Sequence, residues 1–178
     1  MIKKILIILI ICISILSITS IIKIHNIQTN KYTLNNFNII KPQKNDDVIG
    51  NIEIKSLDIK KELYNIESIN NNVDKNITIL KESVLPDKSD SIIFIAAHSG
   101  TSNISYFKDL NKLNIGEEIK LTLYNKEYKY IVKEKWEEKK NGYINVNKEK
   151  QNQLILTTCS PTNEKKQLIV NCIEKEPK

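Results

Sequence analysis

All 27 basic residues of this 178-residue chain are lysine; arginine does not occur. Wherever a charged side-chain donor is wanted, lysine must supply it or an uncharged group must stand in. Glycine and proline are scarce at four each, so asparagine and aspartate must make most turns. Three cysteines with no Cys-x-x-Cys pair, and two histidines, are too few for a disulfide framework or a structural zinc site. No residue cluster calls for a metal or another cofactor. A Cys159–Cys172 pair stays open in an oxidising compartment.

The net charge of +6 suggests a polyanion partner until it is located. Residues 1–46 hold six lysines and one acid, Asp46, whereas residues 47–178 hold 21 lysines against 20 acids. The excess therefore sits at the N-terminal end, and the rest is a mixed, solvated surface. No basic stripe with interleaved aromatics is present, so nucleic-acid binding is not expected.

Length leaves room for one domain and an appendage. Residues 5–22 carry no charge over 18 positions, with Lys3 and Lys4 before them and Lys23 after. At about 1.5 Å per residue, 18 residues of helix span about 27 Å, near the roughly 30 Å of a bilayer's hydrocarbon core. A cleaved signal peptide would have a shorter apolar core and a small-residue cleavage site, and no Ala-x-Ala follows here. The pattern predicts a single-pass anchor in the cell membrane, with residues 1–4 cytoplasmic and everything after the anchor extracellular. Cys12 is then a small lipid-facing residue, and the bulky Ile11 before it argues against lipidation. Residues 23–46 are polar, Asn-rich and without a period, and read as a stalk containing His25. Residues 47–178 form the domain.

Short apolar runs then recur. They begin with Ile49, Ile52 and Ile54, and continue at 77–80, 91–97, 119–124, 128–132, 143–146, 154–158 and 168–172. About eight strands at near-regular spacing predict an all-β barrel or sandwich. Asn125-Lys126-Glu127 is placed as a hairpin connection. Tyr106, Phe107, Leu110 and Leu113 mark one short helical piece.

Two strand ends carry chemistry. Gln153-Leu154-Ile155-Leu156-Thr157-Thr158 runs into Cys159, and Ser91-Ile92-Ile93-Phe94-Ile95-Ala96-Ala97 runs into His98. A thiol and an imidazole where strands leave a core are placed as a nucleophile and its acid/base partner. For each, the plainer alternative is a packed core residue.

Ala97-His98-Ser99-Gly100 and Leu156-Thr157-Thr158-Cys159 resemble the two signature motifs of sortases, the cysteine transpeptidases that attach surface proteins to Gram-positive cell walls. Further segments match in order: Ile49-Gly50-Asn51-Ile52-Glu53-Ile54, Leu63-Tyr64-Asn65, Ser105-Tyr106-Phe107-Lys108-Asp109-Leu110 and Ile115-Gly116-Glu117-Glu118-Ile119. The resemblance implies a sortase-like eight-stranded β-barrel with one or two short helices. Cys159 would be the nucleophile and His98 the acid/base, with Thr158, Thr157 and Ala97 lining the substrate. It further implies cleavage of a signal resembling Leu-Pro-x-Thr-Gly between Thr and Gly. The partners would be surface proteins bearing that signal and an accepting amine from peptidoglycan precursor or pilin. Its flavour is that of the class B or class D branches.

One departure stands out. Sortases use an arginine at the start of the last strand, and the first threonine of the family's cysteine motif is also missing here. Gln167, just before Leu168-Ile169-Val170, aligns to the arginine and would take its catalytic place as a neutral hydrogen-bond donor to the substrate or oxyanion, with Lys166 pointing away unless a bulge re-aims it. Cys172, five positions on, falls on the opposite face. Trp136 is either a groove wall or a packing residue. A sortase fold that binds sorting signals without catalysis, and a cysteine peptidase that releases its acyl group to water, are the rival functions.

Overall fold

The computed structural model describes residues 29–33, 48–86 and 90–175. The apolar run 5–22 lies outside them, and among the described residues no helix is long and apolar enough to cross a membrane.

The strands are β1 (Thr29–Thr33), β2 (Val48–Ile54), β3 (Ile59–Tyr64), β4 (Thr78–Ile79), β5 (Ile92–Ala96), β6 (Glu118–Leu123), β7 (Lys126–Lys139), β8 (Tyr143–Asn147), β9 (Gln153–Cys159) and β10 (Lys166–Glu174). Eight of them form one sheet in the order β3-β2-β6-β7-β10-β9-β5-β4. It curls until the Asn76 amide donates to the Glu62 carbonyl at 3.3 Å across the seam, which makes a nearly closed barrel. All described pairings are antiparallel except β5 with β9.

The eight barrel strands are not the eight apolar runs. β3 belongs to the barrel although Lys60, Lys61 and Glu62 break its apolar pattern; only Ile59 and Leu63 of it are buried. Charge is what a strand at the seam of an open sheet tolerates. β8 instead leaves the barrel and pairs with β1, so that Thr29–Thr33, inside the segment read as a stalk, forms a strand. The hairpin β6–β7 turns at Tyr124 and Asn125, both with positive φ (48° and 65°), one residue earlier than the sequence pattern placed it. The helical piece is a turn ending in a short 3-10 segment, Leu110–Lys112, that buries Phe107, Leu110 and Leu113. A second one, Lys55–Leu57, links β2 to β3. At Gly50 a Cβ would lie 1.7 Å from the Thr122 carbonyl oxygen, so β2 meets β6 there only because the residue has no side chain.

Two apolar layers result. The barrel interior holds residues such as Ile52, Leu63, Ile93, Ile95, Phe107, Leu121, Tyr130, Leu154, Leu156, Val170 and Cys172. The outer layer lies under β8, where Ile144 and Val146 cover Phe94, Ile155 and Ile169, with Trp136 against them. Ile144 and Val146 are fully buried, and each such side chain contributes about 1.5–3 kcal/mol of apolar burial. That burial seats β8 on the outside of the barrel.

Candidate active site

Side chains alternate along a strand, so every residue of β9 belongs to one layer or the other. Leu154 and Leu156 face the interior and Ile155 the outer layer, which puts Cys159 on the outer side. On β5, Ile93 and Ile95 face inward, as does Ala97 just beyond it, while Phe94 faces out and His98 follows it. The parallel register pairs Ala96 with Thr157; carried two residues past the end of β5 it brings His98 level with Cys159, and the Ser99 hydroxyl reaches the Cys159 carbonyl. β10 places Gln167 opposite Cys159, and β7 places Glu138 opposite Gln167. Glu138, Gln167 and Cys159 thus make one row across three strands, and His98, just past the end of β5, continues it. Asp74 extends the row, its Oδ1 3.0 Å from His98 Nε2.

Backbone contacts hold the middle of the row. The Thr158 hydroxyl donates to the Ala97 carbonyl at 2.8 Å, the Ala97 N–H to the Thr157 carbonyl at 3.3 Å, and the Ser99 hydroxyl to the Cys159 carbonyl at 3.1 Å. The Phe107 N–H donates to the His98 carbonyl at 3.0 Å. Thr157, Thr158 and Ala97, expected to line the substrate, are all buried. Their place in the structure is to tie β9 to the segment carrying His98.

Cys159 is half-buried, within reach of a substrate, and so is His98. The Lys140 ammonium donates to Cys159 Sγ at 3.2 Å. When His98 carries its proton on Nε2 it donates to the Asp74 carboxylate, which orients the ring and leaves Nδ1 as the other proton site. An accessible thiol, a cation beside its sulfur and an imidazole tethered to a carboxylate can together perform acyl transfer through a thioester.

Gln167 lies on the face of Cys159, as alternation requires. It is buried, and its amide donates to Glu138 Oε1 at 3.1 Å and to the Tyr143 carbonyl at 2.5 Å. Both amide hydrogens are therefore engaged, and donating to an oxyanion requires one of these bonds to give way. Glu138 also accepts from the Asn145 N–H and side-chain amide at 3.2 and 2.7 Å, so Gln167 and Glu138 fasten the start of β8 to the row. Lys166 points to the other face, Nζ 3.7 Å from Glu137. Trp136 packs in the outer layer. Cys172 is fully buried in the interior, where burial pushes its thiol far above the ordinary range. Both thiols are free and lie in different layers, so the open alternative of a Cys159–Cys172 disulfide is corrected.

Sequence patterns do not single out Lys140 or Asp74. Lys140 follows Lys139 at the end of an ordinary charge-mixed run, and Asp74 sits in an Asn-rich loop. Neither carries a local signal. Among the described residues no group of three or more His, Cys, Asp or Glu side chains is placed to hold a metal ion.

The family model described as the sortase domain matches residues 52–174. The chain belongs to the sortase family. Sortases are cysteine transpeptidases, and the row contains the cysteine and histidine of the two signature motifs. Sortase A from Corynebacterium diphtheriae superposes with a TM-score of 0.62 at 21% identity, over 75% of this chain and 63% of that one. This sortase thus spans less than two thirds of that chain. Sortase C1 from Streptococcus agalactiae gives 0.64 at 24% identity, over 76% and 71%. A lid mutant of the Corynebacterium diphtheriae sortase A gives 0.65 at 20%, over 88% and 90%. At such identities the likeness is one of fold and assigns no branch of the family. No curated protein matches the chain.

Proposed function

We propose that this sortase is anchored by residues 5–22 in the cell membrane, with its domain outside the cell, and transfers surface proteins to a cell-wall amine. The observation that supports the reading is the parallel β5–β9 register, which brings the segment carrying His98 level with an accessible Cys159. Cys159 Sγ attacks the carbonyl carbon between Thr and Gly of a Leu-Pro-x-Thr-Gly-like signal. The C–S bond forms and the carbonyl π pair moves to oxygen. The tetrahedral species then collapses, the C–N bond breaks, and His98 gives its proton to the leaving amine. An amine of peptidoglycan precursor or pilin attacks the thioester, His98 takes its proton, and the thiolate leaves. In this reading Cys159 and His98 are catalytic, and Gln167 keeps the start of β8 against the site. Thr157, Thr158 and Ala97 fix the strands that present the two reacting groups.

The test is incubation of the purified protein with a sorting-signal peptide and an amine. Expected are a thioacyl mass adduct on Cys159 and an amide product. Binding with no adduct would favour the receptor reading, and hydrolysis unaffected by the amine the peptidase reading.

A further inference from the structure

We propose that Lys140 is a catalytic residue of this sortase, the cation that holds negative charge on Cys159 and then on the carbonyl oxygen of the substrate. The inference rests on the acyl-transfer reading above and names the residue that serves its charge.

The chain contains no arginine, so the charged donor at the thiol must be a lysine or be absent. Three lysines stand near the row. Lys166 is turned to the opposite face and paired with Glu137 at 3.7 Å. Lys165 is exposed and follows the loop after β9. Lys140 reaches the sulfur itself, at 3.2 Å. Gln167, the neutral donor on this face, has both amide hydrogens engaged by Glu138 and Tyr143.

The contact is prepared by the backbone. The Lys140 N–H donates to the Lys165 carbonyl at 2.8 Å, which carries the β7–β10 pairing one step past the strand ends. The chain then turns at Asn141-Gly142, where Gly142 has φ 80° and the Tyr143 N–H donates to the Asn141 side chain at 3.2 Å. Lys140 lies on the face of Trp136 and Glu138, four and two residues before it, so its side chain crosses toward Cys159. Lys140 is itself exposed, so it is this anchoring of its backbone, and not burial, that directs the side chain.

The chemistry follows from where the charge goes. Before attack the negative charge is on Sγ; as the C–S bond forms it moves to the oxygen on the attacked carbon. An ammonium carries three donors. One N–H facing Sγ leaves two to follow the charge to the oxyanion, and a charge-assisted donor there is stronger than an amide. When the C–N bond breaks, the oxyanion pair returns to the carbonyl and Lys140 keeps all its protons. The proton balance stays with His98.

The experiment compares the full chain with Lys140→Ala, Lys140→Arg and, as a control on the opposite face, Lys139→Ala. Two rates are read: thioacyl adduct formation with the sorting-signal peptide, and carboxamidomethylation of Cys159 by iodoacetamide, which needs no peptide. Thermal unfolding midpoints establish that each variant is folded. Lys140→Ala is expected to slow acylation ~10²–10³-fold, the usual loss for an oxyanion donor. It is expected to slow alkylation at least about threefold, because the sulfur loses its neighbouring cation. Lys140→Arg should recover both to within about tenfold of the parent. Lys139→Ala should match the parent. Parent-like rates in Lys140→Ala would overturn the proposal, and so would a Lys140→Arg variant as slow as Lys140→Ala. If the parent forms no adduct at all, the acyl-transfer reading fails instead. The alkylation comparison then still decides whether Lys140 serves the thiol.

Discussion

Cys172 and Cys159 sit on neighbouring strands of one sheet and share little else. Cys172 on β10 faces the barrel interior, fully buried beside Leu154 and Tyr130, and burial holds it as a thiol. Cys159 on β9 faces the outer layer, half-buried, with an ammonium at its sulfur and a histidine just past the end of the neighbouring β5. The difference shows that on a β-sheet it is the parity of a position, and not its residue type, that separates a packed thiol from one open to a substrate.

The sharpest test of that comparison exchanges the loss of one thiol for the other. Cys159→Ala should abolish adduct formation and transpeptidation, whereas Cys172→Ala should keep most of the activity. Mass spectrometry of the acyl-enzyme reads both, and a folded Cys172→Ala as inactive as Cys159→Ala would break the contrast. Next in size is His98→Ala. Because His98 is the proposed proton donor to the leaving amine, its removal should lower turnover by ~10²–10⁴ while the peptide still binds. Unchanged turnover would take His98 out of the reaction.

A smaller effect is expected where the outer layer is loosened without touching the reacting groups. Ile144→Ala truncates a fully buried side chain of β8 and should cost about 2–5 kcal/mol, visible in chemical denaturation. Because β8 is fastened to the row through Gln167 and Glu138, the same variant should also lower turnover. Ile93→Val, in the interior, should cost about 0.5–1.5 kcal/mol with turnover unchanged. Equal effects on turnover would mean that β8 does not support the site. The smallest change belongs to Asp74→Asn. Asp74 is exposed, so its grip on His98 is that of a surface pair, commonly about 0–1 kcal/mol. Turnover should fall by no more than about fivefold, and a far larger loss would make Asp74 a full partner of the imidazole.

Much of this is legible in the amino-acid sequence. Recurring short apolar runs point to the all-β class, and Cys159 and His98 are recognisable as the residues that end two of those runs. Simple alternation places Cys172 opposite Gln167 and turns Lys166 away, as the structure has them. Counting by two works here because β9 and β10 pair without a break from Gln167 to Ile173, so the alternation stays true along both.

What only the tertiary structure decided lies where counting by two fails or where strands meet strangers. Barrel membership was such a case. Charged β3 closes the barrel edge while apolar β8 lies outside it, because a strand's layer depends on what covers it and not on its own hydrophobicity. The other case is β7. Its register to β10 shifts by one residue opposite Asn171/Cys172: Tyr128, Tyr130 and Val132 face the interior, whereas Glu134, bonded to Asn171, and Trp136 face out. Counted by parity from Tyr130, Lys140 would fall in the barrel interior. A single bulge residue reverses every side chain beyond it, and so delivers the Lys140 ammonium to the sulfur of Cys159. The sequence by itself determines most of the strands and which residues end them; the bulge and the pairings, which depend on contacts between distant segments, determine what those ends face.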